Sequence, residues 1–279
     1  MENDLQSGRS IRARLSEIEQ PHQIALSLLA HIVQRPKTWL LAHPEEHLNK
    51  AQADLLEVLL QRLEAGEPLP YLIGKQEFFG LEFEVNPSTL IPRPETEMLV
   101  EAALEWLQAH PLARNGIDVG TGSGCIAVSL LSRCPDLHML ATDISSAALE
   151  VANRNARKHH VDNRISFSQC DLIPENPQKV DLACANLPYI PTSKLTEVNG
   201  LPWEPSLALD GGENGLELIS QLLQKLPSFL NCPFLILLET EDTLGPQTLQ
   251  LANRNFPDAQ VSLHKDLFDR DRLVRIELK

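Results

Sequence analysis

The feature that most constrains the fold is a regular alternation of strand-like and helix-like segments, which begins at residue 116 and runs to the C-terminus. The apolar patterns predict strands at residues 117–119, 138–142, 165–169, 180–184, 234–238, 260–264 and 272–278. Helices are predicted at residues 126–131, 147–156, 216–226 and 248–255. This alternation predicts an α/β domain whose mostly parallel sheet carries helices on both faces. Ligands of such sheets bind at the carboxyl ends of the strands.

The residues before this domain show a different pattern. Residues 10–65 carry leucine and isoleucine at helical spacing, interrupted by prolines, which predicts a small helical bundle that packs on a larger domain. If the bundle has a function of its own, we expect it to bind a partner rather than to perform chemistry. Residues 78–85 are aromatic-rich and predict a short strand or hairpin. The segment from Leu90 to Glu97 is stiffened by two prolines around Arg93, a pattern that on its own favours a linker. A helix is predicted to begin near Glu95.

Charge and cysteine usage limit the possible functions. The chain has 279 residues, 24 basic and 38 acidic side chains and a formal net charge of −14, so direct binding of nucleic acid through its phosphates is not expected. The five cysteines form no Cys-x-x-Cys pair, which is typical of free thiols in a reducing compartment. No window is apolar enough for a membrane span, and the first residues lack the pattern of a signal peptide. We therefore expect a cytoplasmic protein that does not bind membranes.

Three predicted strands end in acidic residues. The first is followed by Asp118-Val119-Gly120-Thr121-Gly122-Ser123-Gly124, where alternate glycines allow a sharp turn and a close approach of a ligand to the backbone. Such a turn could also be a tight connection or a dinucleotide site. The next strands end at Asp143, which could accept hydrogen bonds from ribose hydroxyls, and at Asp171, which could accept one from an amine of a base. Each acid alone is more often a helix cap or a solvated loop residue, but three on consecutive strands indicate a binding site.

A fourth predicted strand ends in Asn186-Leu187-Pro188-Tyr189. This tetrapeptide offers an amide, a backbone carbonyl and an aromatic face without any charge. Such a group can hold a flat polar substrate by two hydrogen-bond acceptors and a stacking surface. The histidines and cysteines show no spacing that predicts a metal site.

Together these motifs resemble one family, the class I S-adenosylmethionine-dependent methyltransferases that methylate glutamine N5 of peptide chain release factors. The resemblance rests on residues 67–74, 78–81 and 186–189, on the glycine loop and most specifically on Ile91-Pro92-Arg93-Pro94-Glu95-Thr96-Glu97. It replaces the linker interpretation. It implies a Rossmann-like class I methyltransferase domain with a mostly parallel seven-stranded sheet at residues 94–279, a helical substrate-binding domain at residues 1–73, and a β-hairpin with a connecting segment at residues 74–93.

The resemblance also implies the chemistry. The cofactor would be S-adenosyl-L-methionine, with S-adenosyl-L-homocysteine as product, and the methyl acceptor would be the glutamine of the Gly-Gly-Gln motif of a release factor, in translation termination. The residues implied for the cofactor are Asp118, Gly120, Thr121, Gly122, Gly124, Asp143, Asp171 and Asn186. Those implied for the substrate are Arg93, Asn186, Leu187, Pro188 and Tyr189, of which the last four are also the implied catalytic residues. Asn186 and the carbonyl of Leu187 would accept the two N–H bonds of the glutamine amide, with Tyr189 near its planar face.

Two positions depart from the family pattern. Leu187 stands where the family has proline in Asn-Pro-Pro-Tyr; its carbonyl persists, but about 0.4–1 kcal/mol of backbone restriction is lost, which predicts retained catalysis on a slightly looser loop. Residues 239–245 are acidic where a more glycine-rich turn is expected, and we expect that this change does not touch the residues of methyl transfer.

Three other functions compete with this interpretation. N5-methylation of a ribosomal-protein glutamine shares the fold and the chemistry. A tetrapeptide of this kind could also hold the amino group of adenine for N6-methylation of DNA, but a net charge of −14 disfavours binding to DNA phosphates. A non-catalytic binding module would explain the two departures, but every proposed cofactor and amide contact survives in the sequence.

Overall fold

The computed structural model describes residues 10–18, 21–175, 178–197 and 203–279. The first residues, on which the absence of a signal peptide was judged, lie outside these ranges. The chain divides into two compact units, Met1–Gly74 and Lys75–Lys279. Within the described residues, no helix is both long and apolar enough to cross a membrane.

The first unit is helical. Its described helices are α1 (Ile11–Glu17), α2 (His22–Val33), α3 (Lys37–Ala42), α4 (Lys50–Glu64) and α5 (Leu69–Ile73). Leu28 and Leu29 of α2 and Leu56 of α4 are fully buried in its core. A capping box at Asn49 and Gln52 begins α4, because each side chain accepts the backbone N–H of the other residue. The leucine pattern therefore predicted the main helices, whereas α3 and α5 are too short to show a helical period.

The second unit begins with a hairpin and a helix. Strands β1 (Lys75–Phe78) and β2 (Leu81–Glu84) pair antiparallel, and the turn between them consists of Phe79 and Gly80, both in the left-handed region. The N–H of Phe79 donates to Glu97 Oε1 at 2.7 Å, which ties the hairpin to the start of helix α6 (Glu97–Ala109). A 3-10 turn, Pro94–Thr96, precedes α6, so the helix begins two residues later than its acidic residues suggest.

The predicted seven-stranded and mostly parallel sheet is confirmed. Its strands are β3 (Asn115–Val119), β4 (His138–Asp143), β5 (Ile165–Gln169), β6 (Val180–Ala185), β7 (Leu230–Glu239), β8 (Gln260–Lys265) and β9 (Asp271–Leu278), in the order β5-β4-β3-β6-β7-β9-β8. The first five in this order are parallel, and β9 lies antiparallel between β7 and β8. The remaining helices are α7 (Cys125–Arg133), α8 (Ser146–Lys158), α9 (Glu217–Lys225) and α10 (Gly245–Asn255).

Both faces of the sheet are buried, as its nearly continuous apolar strands require. In β6, Leu182 and Cys184 belong to a core with α6 and α7, while Ala183 and Ala185 belong to a second core with α9. The alternation follows from the period of two along a strand. It leaves the carboxyl edge of the parallel strands as the place where loops and a ligand can meet.

Candidate active site

A cavity of about 470 Å³ opens at the carboxyl edge of β3, β4, β5 and β6. This volume lies within the range of about 300–1,000 Å³ that is typical of small-molecule sites. The cavity brings together nine of the residues predicted from the sequence: Arg93, Gly120, Thr121, Gly122, Asp143, Asp171, Asn186, Leu187 and Pro188. Its described walls do not include Asp118, Gly124 or Tyr189.

The glycine loop between β3 and α7 forms one wall. A Cβ atom at Gly122, where φ is +55°, would meet nothing within 4 Å, so the backbone leaves open space for a ligand there. Gly124 has φ +80° and serves packing, because a Cβ there would lie 3.1 Å from Cβ of Ala152 in α8. The loop therefore uses one glycine to face the cavity and another to bring α7 against α8.

Asp118 stabilises the glycine loop through hydrogen bonds. Its side chain is fully buried, and Oδ2 accepts hydrogen bonds from the hydroxyl of Thr121 at 2.7 Å and from the N–H of Ala127 at 3.3 Å, while Oδ1 has no partner among the described residues. Burial raises the pKa of Asp118 to about 6, against the two hydrogen bonds that lower it. The carboxylate thus links the loop to the first turn of α7 instead of facing the cavity.

Asp143 faces the cavity at the end of β4. Its Oδ2 accepts the N–H of Gly122 at 2.9 Å, and its Oδ1 accepts the N–H of Ser145 at 2.9 Å. Each carboxylate oxygen has a further acceptor position, so a diol can still bind both oxygens. The next residue, Ile144, is half-exposed and also lines the cavity. It was not among the site residues predicted from the sequence. Asp171 is exposed at the end of β5 and adds a second acid to the wall.

The tetrapeptide 186–189 follows β6 directly. Asn186 Nδ2 donates to Thr96 Oγ1 at 3.1 Å. Neither Asn186 Oδ1 nor the carbonyl oxygen of Leu187 accepts a hydrogen bond from any residue that the structure describes. Two adjacent acceptors are therefore available to a ligand. Burial of the next aromatic residue, Tyr189, raises the pKa of its phenol to about 12, so the hydroxyl stays neutral.

Leu187 is held by its side chain. It is 3% exposed and belongs to the core that contains Ile117 and Val119. Its Cδ2 would lie only 3.0 Å from a Cβ at Gly120, so the tetrapeptide packs directly against the glycine loop. Burial of an apolar side chain here opposes the loosening that loss of proline was expected to cause.

A glycine-rich segment that the sequence analysis passed over supports the same tetrapeptide. Gly211 N donates to the carbonyl of Ile190 at 2.8 Å, and Ile190 N donates to the carbonyl of Leu209 at 3.0 Å. A Cβ at Gly211 would lie 2.7 Å from Cα of Tyr189, and one at Gly215 would lie 2.2 Å from its carbonyl oxygen. Only glycine permits this approach, and the run Asp210-Gly211-Gly212 was the signal for it.

Arg93 and Glu204 connect two walls of the cavity. Arg93 Nη2 donates to Glu204 Oε2 at 2.5 Å, and Ile91 N donates to Glu204 Oε1 at 3.1 Å. The carboxylate side chain is 9% exposed and the guanidinium side chain 42%. Arg93 is thus fixed in place as predicted for a residue between two prolines, and part of its donor capacity is already used by Glu204.

The expectation that residues 239–245 do not touch the residues of methyl transfer is wrong for Glu239. This residue ends β7, which lies beside β6, so its carboxyl group lies close to the side chains of Asn186 and Thr96, and both of them lower its pKa. It is 3% exposed, and burial raises its pKa to about 7. This contact could not be predicted from the sequence, because neither strand on its own shows that β6 and β7 are neighbours in the sheet.

Comparison with known proteins covers both units. Residues 9–74 match the family model described as "PrmC N-terminal domain", and residues 96–198 match that of the "Methyltransferase small domain". A release factor glutamine methyltransferase of Moorella thermoacetica is 41% identical over 263 residues, which cover 91% of this chain and 90% of the relative. One of Nitratidesulfovibrio vulgaris is 38% identical over 237 residues, which cover 83% of this chain and 80% of the relative.

The fold is also found among solved structures. The N-terminal domain of human METTL16 in complex with SAH superposes with a TM-score of 0.51 at 16% identity, over 94% of this chain and 96% of that one. At this identity the likeness concerns the fold alone.

Proposed function

The chain belongs to the release factor glutamine methyltransferase family, and on this premise we propose that it methylates the side-chain nitrogen N5 of the glutamine in the Gly-Gly-Gln motif of a peptide chain release factor. The observation that carries the proposal is the pair of unused acceptors, Asn186 Oδ1 and the carbonyl of Leu187, at the wall of a cavity lined by Gly122 and Asp143. A primary amide has two N–H bonds, and this pair matches them.

The cavity suits S-adenosyl-L-methionine, which when bound supplies an activated methyl group on a sulfonium and leaves as S-adenosyl-L-homocysteine. The open space at Gly122 would take its methionine portion, Asp143 would accept hydrogen bonds from the ribose hydroxyls, and Asp171 and Ile144 would lie near the adenine. The acids in the cavity wall also suit a cationic ligand. A solved structure of this fold that contains SAH supports the choice of cofactor.

The residues of the tetrapeptide would position the nucleophile. An amide nitrogen is weakly nucleophilic because its lone pair is delocalised into the carbonyl. By holding both N–H bonds, Asn186 and Leu187 would orient the nitrogen and favour the positive charge that develops on it. Pro188 biases Leu187 toward an extended backbone, and Tyr189, neutral throughout the physiological range, would pack near the amide plane. No general base is required, since a protonated amide loses its proton readily.

The remaining parts of the proposal concern the roles of the domains, the contact with the release factor and the cellular location. Residues 1–73 would bind the release factor, residues 74–93 would connect the two parts, and residues 94–279 would carry out the transfer. Arg93 would contact the release factor through the N–H groups that Glu204 leaves free. We place the protein in the cytoplasm, because all five cysteines are free and its substrate acts on ribosomes.

The test is methyl transfer from labelled S-adenosylmethionine to an unmethylated release factor. Parallel reactions contain a release factor with the motif glutamine changed to alanine, a ribosomal protein, and DNA. We expect label only on the intact release factor, and loss of at least about a hundredfold in kcat/KM for Asn186→Ala, which removes a positioning acceptor. Asn214→Ala, at an exposed asparagine of the same unit, is the control. Label on the ribosomal protein or DNA instead, or label nowhere, would refute the proposed function.

A further inference from the structure

A buried carboxylate that the proposed transfer does not use lies next to the candidate catalytic asparagine. Ala185 of β6 pairs with Leu238 of β7 in a parallel register, so Asn186 and Glu239 leave the sheet side by side. Glu239 is 3% exposed, and its Oε2 has no hydrogen-bond partner in the described structure. Burial of a carboxylate with an unpaired oxygen is unfavourable, so a residue of this kind calls for a reason other than stability.

The hydrogen bonds around Thr96 have a defined polarity. Asn186 Nδ2 donates to Thr96 Oγ1 at 3.1 Å, and Thr96, itself 2% exposed, lies close enough to the carboxyl group of Glu239 to lower its pKa. The Thr96 hydroxyl accepts from Asn186 and so keeps its own hydrogen to donate, and a neighbouring ionised carboxylate, which only accepts hydrogen bonds, favours donation toward Glu239. The carboxylate therefore favours the arrangement in which the NH₂ end of the asparagine amide is directed at Thr96 and Oδ1 is left without a partner among the described residues.

We propose that Glu239 is a positioning residue that acts through Thr96 to hold the Asn186 amide with Oδ1 toward the substrate and Nδ2 away from it. This inference rests on the proposed function. Without an obligatory acceptor at position 239, the Thr96 hydroxyl can donate to Oδ1 of a flipped amide. The asparagine would then present its own NH₂ group to the NH₂ group of the substrate, and two donors cannot bind one another.

The protonation of Glu239 should control this orientation. Burial raises its pKa to about 7, hydrogen bonds with Thr96 and Asn186 and the charge of Arg272 on β9 lower it, and Glu95 before α6 raises it. Tyr189, after β6, and Cys125, at the start of α7, also lie within the field of Glu239, and the pKa of each is raised to about 12, so both stay neutral below pH 9. Protonated Glu239 is a donor, so orientation is lost as the pH falls through about 7.

The experiment compares Glu239→Gln with the wild type and with Glu241→Gln, which removes a charge two residues away. For release factor methylation we expect Glu239→Gln to lower kcat at least tenfold, to leave the KM for S-adenosylmethionine unchanged, and to abolish a rise of activity with pH centred near 7. Glu241→Gln should retain the wild-type profile. A wild-type kcat and pH profile in Glu239→Gln would overturn the proposal.

Two further measurements keep the proposal testable if Glu239→Gln folds poorly or if the wild type proves inactive on release factors. Thr96→Ser keeps the hydroxyl and should retain activity, whereas Thr96→Val should lose as much as Glu239→Gln, and the double variant should lose no more. The side-chain ¹H–¹⁵N resonances of Asn186, identified by their absence in Asn186→Ala, report the amide without any turnover. They should shift with a midpoint near pH 7 in the wild type and in Thr96→Ser, and by a smaller amount in Thr96→Val, where Glu239 acts on Asn186 only directly. An unchanged titration in Thr96→Val would refute the role of Thr96, and the absence of a shift in the wild type would refute the role of Glu239.

Discussion

Replacing Leu187 by proline, which would restore the family tetrapeptide, should destabilise this protein. The side chain of Leu187 is 3% exposed and packs in a core with Ile117 and Val119. It also contacts the glycine loop, where its Cδ2 would lie 3.0 Å from a Cβ at Gly120. A proline ring cannot fill this space, so the exchange gains backbone restriction and loses buried apolar area.

The two contributions have different sizes. Full burial of a leucine side chain stabilises by about 1.5–3 kcal/mol. Proline at a compatible position stabilises the folded protein by about 0.4–1 kcal/mol, because it restricts the unfolded chain. The N–H of Leu187 donates to no residue that the structure describes, so no hydrogen bond is lost. We therefore expect Leu187→Pro to lower the free energy of unfolding by about 0.5–2.6 kcal/mol, and Leu187→Ala, which leaves a cavity, by about 2–5 kcal/mol.

Urea unfolding of the wild type, Leu187→Pro and Leu187→Ala measures this order directly. Leu207→Ala is the matched control, because Leu207 lines the same cavity but is 54% exposed and should change stability by less than about 0.5 kcal/mol. Methylation assays on the same proteins then separate stability from turnover. If Leu187→Pro were as stable as the wild type, or if Leu187→Ala behaved like the control, the side chain would not hold the loop and our reasoning would fail.

Three other predictions concern the support of the site. Gly211→Ala places a Cβ 2.7 Å from Cα of Tyr189, and since backbone cannot yield cheaply we expect kcat to fall at least tenfold; unchanged kinetics would contradict the need for this contact. Asp118→Asn should remove a pH dependence: the folded pKa of about 6 lies above the ordinary 3.8, so the native state binds the proton more tightly, and its stability falls as the pH rises from about 4 to 6. Urea unfolding at each pH should show the free energy of unfolding of the wild type falling by up to about 3 kcal/mol relative to the variant. If the free energy of unfolding depended on pH in the same way in both proteins, the raised pKa of Asp118 would be refuted. A double-mutant cycle of Arg93→Ala and Glu204→Ala should give a coupling of only about 0.5–1 kcal/mol in unfolding, because the guanidinium side chain is 42% exposed; a coupling above 3 kcal/mol would mean that solvent does not screen the pair.

The two departures from the family pattern lie in loops at the carboxyl edge of the sheet. At Leu187 the side chain is buried, and the exchange of proline for leucine leaves a backbone carbonyl at this position. After β7, the first residue of the acidic segment is Glu239, which is buried beside Asn186, while Glu241 and Asp242 are more exposed. Of the acidic residues of that segment, Glu239 therefore lies within the site, whereas Glu241 and Asp242 lie outside it.

Local sequence patterns predicted the order and type of the main elements. Apolar runs of period two and helical spacing are local properties, and each predicted strand of residues 117–278 is present, with its limits within a few residues. The positions of Gly122, Asp143, Asp171 and Asn186 at one edge followed from the parallel order alone, since each lies at or just after the end of a strand.

Contacts between distant segments could not be predicted in this way. Asp118 lies in a strand-end motif, but only the packing of α7 over it decided that its carboxylate faces the loop and not the cavity. The approach of Gly211 to Tyr189 and the pairing of Arg93 with Glu204 join residues more than twenty and more than a hundred positions apart, respectively.

The sequence by itself therefore determined the fold class, the residues that end the parallel strands and, through its motifs, the family. Only the tertiary structure decided how the tetrapeptide is held: the side chain of Leu187 lies in the core, Gly211 lies against Tyr189, and Glu239 reaches Asn186 because β7 is the neighbour of β6. The physical reason is that secondary structure and motif identity depend on neighbouring residues, whereas burial, hydrogen-bond polarity and the raised pKa of a carboxylate depend on whatever the fold packs against it.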